Sequence, residues 1–221
     1  MAAYGKTWLQ LTNEVMKRLR KSTVATTSTT TYATLVASFV NTIKDEVEEA
    51  HEWRDLRNTF TLTAVPGTTL YTFTASGQQA KILDMWNTTN RWEIHRSTFH
   101  EMNRRFFGES TVQTGPVTDF LPAGLDSSYD LQIDIWPSPA STNSIRANLY
   151  VPQATLAVDS TVVLAPNHVI IEGALAMAML ERGGQDDPTA QMQAQFYRER
   201  LAGAVSLELS QDPSEMDWMP V

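Results

Sequence analysis

Residues 47–64 read VEEAHEWRDLRNTFTLTA, and the hydrophobic pattern changes within this stretch. Its first half continues a pattern in which apolar residues recur every three to four positions, as on one face of an α-helix. From Asn58 onward, apolar residues alternate with threonines, which is typical of a strand with one buried face: Phe60, Leu62 and Ala64. The stretch therefore marks the point where a helical segment ends and a β-rich segment begins.

Two amphipathic helices are predicted before this point. The first spans residues 6–21 and the second spans residues 31–54, with a hydroxyl-rich loop between them. The inner face of the second helix is predicted to carry Tyr32, Val36, Phe39, Ile43, Val47 and Ala50. Its opposite face is expected to be exposed, and it is acidic, with Asp45, Glu46, Glu48, Glu49 and Glu52.

Strands and turns follow the change of pattern. Residues 60–64 and 70–74 flank a Pro-Gly turn and are predicted to form one hairpin, and residues 81–86 and 91–95 to form a second. Further strands are predicted at residues 116–121, 129–136 and 144–151. A short helix at about residues 97–107 interrupts them, because Thr98 and Glu101 match a capping box.

Helical periodicity returns in the last third of the chain. Residues 169–180 are apolar nearly all round, so they are predicted to form a helix buried on several sides. Asp187 stands before Pro188 and is predicted to cap a last helix. The inner stripe of that helix is predicted to be Met192, Phe196, Leu201 and Val205.

This order of elements predicts an α+β protein. Helices at both ends of a chain pack most economically together, so residues 1–56 and 164–210 are predicted to form a helical bundle. Residues 57–163 are predicted to form an inserted antiparallel β-sandwich or β-barrel-like lobe. Residues 211–221 are predicted to form an extended C-terminal tail.

Composition excludes several classes of function. The chain has 221 residues, no cysteine and a formal net charge of -8 at pH 7. Without cysteine there can be no disulfide framework, thiolate nucleophile, Cys-ligated zinc or iron–sulfur cluster. The negative charge argues against a general affinity for the nucleic-acid backbone. No signal-peptide pattern and no apolar run of bilayer length are found, so no membrane association is expected.

Motifs for catalysis are lacking in the sequence. The chain contains no G-x-S-x-G elbow and no glycine-rich phosphate loop. His51 lies beside the acidic run, but no second histidine stands at helical spacing from it, so a metal site is not expected. We therefore predict no catalytic residue, cofactor or metal. A pair of catalytic carboxylates stays open, because the separation of two such groups is a tertiary property.

Two segments are candidates for contact with partners. The first helix ends in Lys17, Arg18, Arg20 and Lys21, which either complement the negative end of the helix dipole or face an acidic partner or DNA. The C-terminal tail carries an isolated apolar set, so it either docks on a partner or folds back on its own domain. The tail residues expected to dock are Met216, Asp217, Trp218 and Met219.

The order and spacing of several short pieces resemble the head–tail adaptor proteins of tailed bacteriophages. These are the group related to the tail tubular protein A and the head-completion adaptors of short-tailed phages. The resemblance covers nearly the whole chain. Its pieces are the Trp8-Leu9 helix, the second helix ending in Trp53-Arg54, residues 115–120, the run IWPSP at residues 135–139, the strand at residues 147–151, the helix EGALAMAML at residues 172–180 and the helix around Tyr197.

The resemblance implies a ring of subunits, normally twelve, seated beneath the portal protein in the virion. Double-stranded DNA would pass through its lumen without sequence-specific binding, a tail or nozzle protein would attach below, and the C-terminal tail would grip the portal. Assembly would take place in the cytoplasm of the bacterial host. The family has no agreed catalytic residues, so none is carried over to this chain.

A closed ring requires a heterologous interface between two different faces of each subunit. The charge asymmetry offers a hypothesis for these faces, with Arg18, Arg20 and Lys21 on one and Glu48, Glu49 and Glu52 on the other. Two other functions remain open. A β-sandwich module that binds carbohydrate or peptide would use Trp86, Trp92 and Trp136, and a tail-associated peptidoglycan hydrolase would use Asp84, Glu93 or Asp134.

Overall fold

A computed structural model of the chain describes residues 5–108, 113–184 and 187–211. The helices in these ranges are α1 (Trp8–Arg18), α2 (Thr31–Ala50), α3 (Phe99–Asn103), α4 (Asn167–Gly183) and α5 (Pro188–Gln211). The strands are β1 (Arg57–Ala64), β2 (Leu70–Thr72), β3 (Lys81–Asn87), β4 (Trp92–Glu93), β5 (His95–Arg96), β6 (Thr114–Gly115), β7 (Asp119–Leu125), β8 (Leu131–Trp136), β9 (Ser138–Pro139) and β10 (Asn143–Tyr150). These helices and sheets confirm the α+β class.

The chain divides into two compact units. The helical unit comprises the described residues of Met1–Leu56 and Gln153–Val221, and the β unit comprises those of Arg57–Pro152. Residues 153–163, which the sequence pattern assigned to the β-rich lobe, are part of the helical unit.

Side-chain hydrogen bonds mark the start of α1 and the end of α2. Thr7 caps α1 in a reciprocal capping box with Gln10, since each side chain accepts a hydrogen bond from the backbone N–H of the other residue. The second helix, α2, ends at Ala50, earlier than predicted. Trp53 is buried there and its Nε1 donates to the Val47 carbonyl at 2.7 Å, so the chain turns back on the helix end.

The most buried helix, α4, contacts α1, α2 and α5. Most of its residues from Val169 to Ala178 are out of solvent, as predicted from their apolar character. Gly173 marks the closest approach. A Cβ added there would lie 2.6 Å from Ile43 Cγ2 and 2.9 Å from Tyr197 Cε2, so only glycine allows the side chains from α2 and α5 to come this near.

The predicted inner stripe of α5 is wrong. The buried residues of this helix are Ala190, Tyr197 and Ala204, whereas Met192 is 56% exposed and Phe196 is 48% exposed. Leu201 and Val205 are half-buried. The reason is the close approach at Gly173, since small alanines and one flat ring let α5 lie near α4 where larger apolar side chains would hold it away.

Two four-stranded sheets form most of the β unit. Their strand orders are β1-β10-β3-β4 and β2-β8-β7-β5, and β6 pairs with β9 in a third, two-stranded sheet. The predicted hairpin between residues 60–64 and 70–74 is wrong, because β1 pairs with β10 along its whole length and β2 pairs with β8. The Tyr71 hydroxyl accepts from the Val65 backbone N–H at 2.8 Å and holds the connecting loop as the chain passes to the other sheet.

The second predicted hairpin is confirmed, since Trp86 in β3 lies opposite Glu93 in β4. The alternation in β8 is also confirmed, because Leu131, Ile133 and Ile135 are buried in one core to which both four-stranded sheets contribute. Thr98 caps α3 by accepting from the backbone N–H of residue 101. No helix in the described ranges combines the length and hydropathy of a membrane span.

Candidate interaction surfaces

The basic end of α1 lies beside the last turn of α4. Arg18 Nη1 is 2.8 Å from Glu172 Oε1, so this cation has a partner within the chain. Arg18, Arg20 and Arg182 line a cleft of about 340 Å³, here called the basic cleft. Arg182 also lies over the Tyr32 ring, 4.9 Å from its centroid. The sequence pattern did not identify Arg182 as part of this basic group, because only the fold brings the end of α4 next to the end of α1.

Lys44 and Glu48 form a buried ion pair on α2. Their side chains are 0% and 2% exposed, and Lys44 Nζ lies 3.2 Å from Glu48 Oε2. Lys44 Nζ also lies 2.8 Å from Asp45 Oδ1 and donates to the Gln153 carbonyl. The Glu48 carboxylate accepts from the Gln153 backbone N–H at 3.0 Å. The pair therefore ties α2 to the segment that follows the β unit.

The burial of Glu48 corrects the prediction that it lies on an exposed acidic face. Burial raises the pKa of Glu48 to about 7, against the lowering effect of the Lys44 charge. Glu49 is exposed and Glu52 is half-buried. The sequence carried a signal for the pair, since a lysine four residues before a glutamate places both on one helix face. It did not show that Gln153 covers them.

Residues 153–163 are held within the helical unit by hydrogen bonds from side chains of α2 and of the loop before it. Asn41 Nδ2 donates to the Leu156 carbonyl and Asn41 Oδ1 accepts from the Leu156 N–H, both at 3.0 Å. The Thr27 hydroxyl donates to Asp159 Oδ1 at 2.7 Å. These contacts explain why the segment belongs to this unit although its sequence has no helical period.

A cleft opens between the start of α1, α2 and this segment. The α2 cleft has a volume of about 590 Å³, and its walls are both polar and apolar. It is lined by Trp8, Thr27, Ser28, Thr34, Ala37, Ser38, Asn41, Ala157, Val158 and Asp159. Trp8 Nε1 donates to the Ala37 carbonyl at 3.2 Å, and the Ser38 hydroxyl donates to the Leu35 carbonyl at 2.7 Å. Polar atoms of the walls are thus engaged with nearby backbone, and Val158, 59% exposed, presents apolar surface to the opening.

In the β unit, two phenylalanines project from α3 and the π-helical turn that follows it. Phe99 is 63% exposed and Phe107 is 84% exposed. Arg105 fixes the turn, because its guanidinium lies 4.4 Å above the Trp136 ring. This arrangement keeps two apolar rings in water on a rigid support, which is a feature of contact surfaces.

A polar cluster beneath the turn completes the support. Arg105 Nη2 lies 2.8 Å from Glu101 Oε1 and Nη1 lies 3.1 Å from Asp119 Oδ2. Asp119 also accepts from the hydroxyls of Ser97 and Thr118, at 3.1 and 2.7 Å. Burial alone would raise the pKa of Asp119, but these hydrogen bonds and the Arg105 charge outweigh it and lower the pKa. These contacts form one hydrogen-bonded network that holds Arg105 in place beneath the turn.

The three tryptophans of the carbohydrate-binding alternative have different environments. Trp86 is 44% exposed and lines a cleft of about 530 Å³ with Arg91 and Arg146. Trp92 is half-buried and its Nε1 donates to the Val117 carbonyl at 2.8 Å. Trp136 is half-buried beneath Arg105. The three rings therefore do not form one continuous exposed platform.

Two of the three carboxylates of the hydrolase alternative share a sheet, and the third lies on another. Asp84 in β3 accepts from Asn148 Nδ2 at 2.7 Å, and Glu93 lies on β4 of the same sheet. Asp134 lies in β8 of the other sheet, where burial raises its pKa. Among the residues that the structure describes, no group of three or more histidine, aspartate or glutamate side chains could hold a metal ion.

The predicted docking residues of the tail, Met216, Asp217, Trp218 and Met219, lie outside the described residues. The exposed α5, the two clefts of the helical unit and the phenylalanines of the β unit are features of a protein that contacts other proteins. A family model of the SU10 adaptor protein matches residues 6–220. The chain belongs to the SU10 adaptor protein family. No curated protein matches it at a significant level.

Membership in the adaptor family confirms the resemblance to phage head–tail adaptors. It supports a structural role in a phage virion, in contact with other virion proteins such as the portal and the tail. It favours a protein without enzymatic activity.

Proposed function

We propose that this protein is a structural head–tail adaptor of a tailed bacteriophage, which forms a ring beneath the portal and joins the capsid to the tail. The match of the adaptor family over residues 6–220 carries the proposal. The ring is expected to have twelve subunits, to hold a tail or nozzle protein on its other side, and to be assembled in the bacterial cytoplasm.

The distribution of charge supports a ring through which DNA passes. The sequence of the helical unit contains 17 acidic and 10 basic residues, whereas that of the β unit contains 8 and 7. A net acidic surface repels the DNA backbone, so double-stranded DNA can slide past it without arrest. Sequence-specific DNA binding is not part of this function.

Charge also offers contacts between subunits. Of the predicted interface residues, Arg18 is paired with Glu172 and Glu48 is buried, whereas Arg20, Lys21 and Glu49 are exposed and Glu52 is half-buried. We expect Glu49→Lys to impair ring formation. Adding Arg20→Glu and Lys21→Glu to the Glu49→Lys protein should restore ring formation, because the positive and negative charges of the two faces are then exchanged. A Glu49→Lys protein that forms normal rings would remove Glu49 from the interface.

The C-terminal tail is proposed to attach the ring to the portal through Met216, Asp217, Trp218 and Met219. Negative-stain images of the protein mixed with the portal of its phage should show a stacked ring. Deletion of residues 212–221 should abolish binding while the far-ultraviolet circular dichroism and melting of the free protein stay nearly unchanged. Trp218→Ala should weaken binding, whereas Pro213→Ala in the same segment is the matched control.

Two results would count against this function. A protein that binds no portal and forms no ring in its presence is not a head–tail adaptor of the proposed kind. A large loss of stability after deletion of residues 212–221 would show that the tail folds back on its own domain, as the alternative reading of its apolar residues holds.

A further inference from the structure

Residues 153–163, here called the strap, lie against α2 and the loop before it with little apolar anchoring. All of these residues are described, and Leu156 and Val163 are the two that are buried. Apart from one bridge between Thr7 and Val162, no residue of the strap belongs to a helix or pairs in a sheet. Segments with few buried apolar contacts open locally at a lower free energy than the core does. The strap therefore has the character of a segment that can detach while the helices stay packed.

Gln153 fastens one end of the strap to the buried ion pair of α2. Its backbone N–H donates to Glu48 Oε2 at 3.0 Å, and its carbonyl accepts from Lys44 Nζ. Its side chain joins the other end of the strap, since Nε2 donates to the Val162 carbonyl at 2.7 Å and Oε1 accepts from the Leu164 N–H at 3.3 Å. Gln153 thus closes the strap into a loop that is held at Lys44 and Glu48.

The other end of the strap supports the start of α1. The carbonyls of Asp159 and Thr161 accept from the backbone N–H groups of Leu9 and Trp8, at 3.2 and 2.9 Å. The first N–H groups of a helix have no partner within that helix, so the strap supplies two of the missing acceptors. Release of the strap would therefore free the first turn of α1, and it would also remove the wall of the α2 cleft formed by residues 157–159.

The strap covers a carboxyl group that is stable in its charged form only with difficulty. The Glu48 side chain is 2% exposed, and the Gln153 backbone lies directly on it. Burial penalises the charged form of a carboxyl group far more than the neutral form. Release of the strap lets water reach this group. An ionised Glu48 therefore favours the released strap, and a protonated Glu48 favours the closed strap.

The charges near Glu48 do not cancel the effect of burial. Lys44 lowers the pKa of Glu48 and Asp45 raises it, and burial outweighs the lowering contacts, so the pKa is about 7 while the strap is closed. The charged residue of the strap itself, Asp159, is bound by the Thr27 hydroxyl at 2.7 Å. When the strap is released, we expect the pKa of Glu48 to return towards its ordinary value of 4.5.

Two histidines of the helical unit are the other groups to consider. Burial and the Arg200 charge lower the pKa of His168 on α4, against the effect of Glu172. Because burial disfavours a charged histidine, an opening driven by His168 would increase as the pH falls, which is the opposite sign. His51 follows α2, with its ring 5.1 Å from the Trp53 ring, and a variant tests it separately.

We infer that the strap is a proton-controlled latch, which is closed while the Glu48 carboxyl group is protonated and is released more often when this group is ionised. The latch is a property of the free chain and does not depend on the proposed ring. Its release alters the start of α1 and the polar side of α2 together, so one proton changes the surface of two helices.

Hydrogen exchange of backbone amides in the full chain, measured residue by residue from about pH 5 to about pH 8, tests the latch. Each rate is divided by the intrinsic exchange rate at the same pH. We expect the protection of the Gln153 and Leu156 amides to fall about tenfold for each pH unit between about 5 and 7 and to level off above this range.

Two variants and one change of solvent supply the controls. Glu48→Gln keeps the shape of the side chain but cannot ionise, so its strap protection should not change with pH. His51→Gln is the matched control, and its strap should respond to pH as in the unchanged protein. A low concentration of urea, which promotes global unfolding, should speed exchange of the Leu175 amide in α4 more than that of the Leu156 amide.

Three results would overturn the inference. The first is strap protection in the unchanged protein that stays constant or rises with pH. The second is the same pH dependence in Glu48→Gln, which would assign it to another group. The third is equal protection and equal urea response of Leu156 and Leu175, which would show that the strap detaches only when the whole helical unit unfolds. If circular dichroism shows that Glu48→Gln does not fold, the sign of the dependence in the unchanged protein and in His51→Gln still decides the question.

Discussion

Replacing Lys44 with methionine is expected to destabilise the helical unit by about 1–3 kcal/mol near neutral pH and by more above it, because it leaves the buried Glu48 carboxyl and the Gln153 carbonyl without their hydrogen-bond donor. The Lys44 side chain is 0% exposed, and its Nζ contacts Asp45, Glu48 and the Gln153 carbonyl. Methionine fills much of the same volume, so the loss reports the charge rather than a cavity. The measurement is urea-induced unfolding followed by far-ultraviolet circular dichroism, which follows the helices.

The destabilisation should depend on pH with a definite sign. Burial raises the pKa of Glu48 from its ordinary 4.5 to about 7, and without Lys44 the pKa rises further. A carboxyl with a raised folded-state pKa loses its contribution to stability as the pH rises through that pKa. The unchanged protein therefore completes this loss near pH 7, whereas the Lys44→Met variant continues to lose stability above it. The difference between the two proteins should therefore be nearly constant below about pH 6, where the Glu48 carboxyl is protonated in both folded proteins, and should grow as the pH rises above about 7.

An exposed pair on α1 supplies the control. Lys17 Nζ lies 3.1 Å from Glu14 Oε1, with the two side chains 58% and 34% exposed. Lys17→Met should cost less than about 1 kcal/mol, as for other surface pairs. If Lys44→Met costs no more than Lys17→Met, or if its cost grows as the pH falls, the reasoning about the buried pair is wrong.

Three further changes test other contacts. Gly173→Ala should lower the free energy of unfolding by about 1–3 kcal/mol through overpacking. Gly203→Ala should raise it by about 1 kcal/mol, because nothing lies within 4 Å of the added Cβ. The melting temperatures of the two variants should therefore shift in opposite directions. Arg105→Met should destabilise the β unit by about 1–3 kcal/mol at neutral pH and by less in acid, where Asp119 is protonated; denaturation at two pH values checks this. Asn41→Ala should speed hydrogen exchange of the backbone amide at residue 156, while equal exchange in both proteins would contradict the role of Asn41.

The helices and most strands could be predicted because their signals are local. The run of residues 169–180 that is apolar nearly all round predicts the buried helix α4, and the alternation of apolar residues predicts β8; the structure confirms both. The partner of β1 was not predictable in this way. Alternation in residues 60–64 identifies a strand, but its pairing with β10 depends on a segment more than eighty residues further along the chain.

The surfaces were harder to predict than the elements, for two physical reasons. A residue on the polar side of a helix is exposed only if nothing else covers it, and Glu48 is covered by Gln153, which no helical period reveals. The inner face of α5 is chosen by close packing at Gly173 rather than by hydrophobicity, so Phe196 faces water while Ala190 and Ala204 are buried. The Arg20 end of α1 and the docking residues of the tail remain predictions.

The division of the chain into units also sets an order of events during synthesis. The β unit is one uninterrupted stretch, Arg57–Pro152, whereas the helical unit is built from both ends of the chain. A nascent chain can therefore complete the β unit while α1 and α2 still lack the helices that cover them. Because α5 is the last helix of the described residues, a prematurely ended chain would lack the Tyr197 ring that packs on α4 at Gly173. The helical unit therefore completes its packing only after α5 has been made.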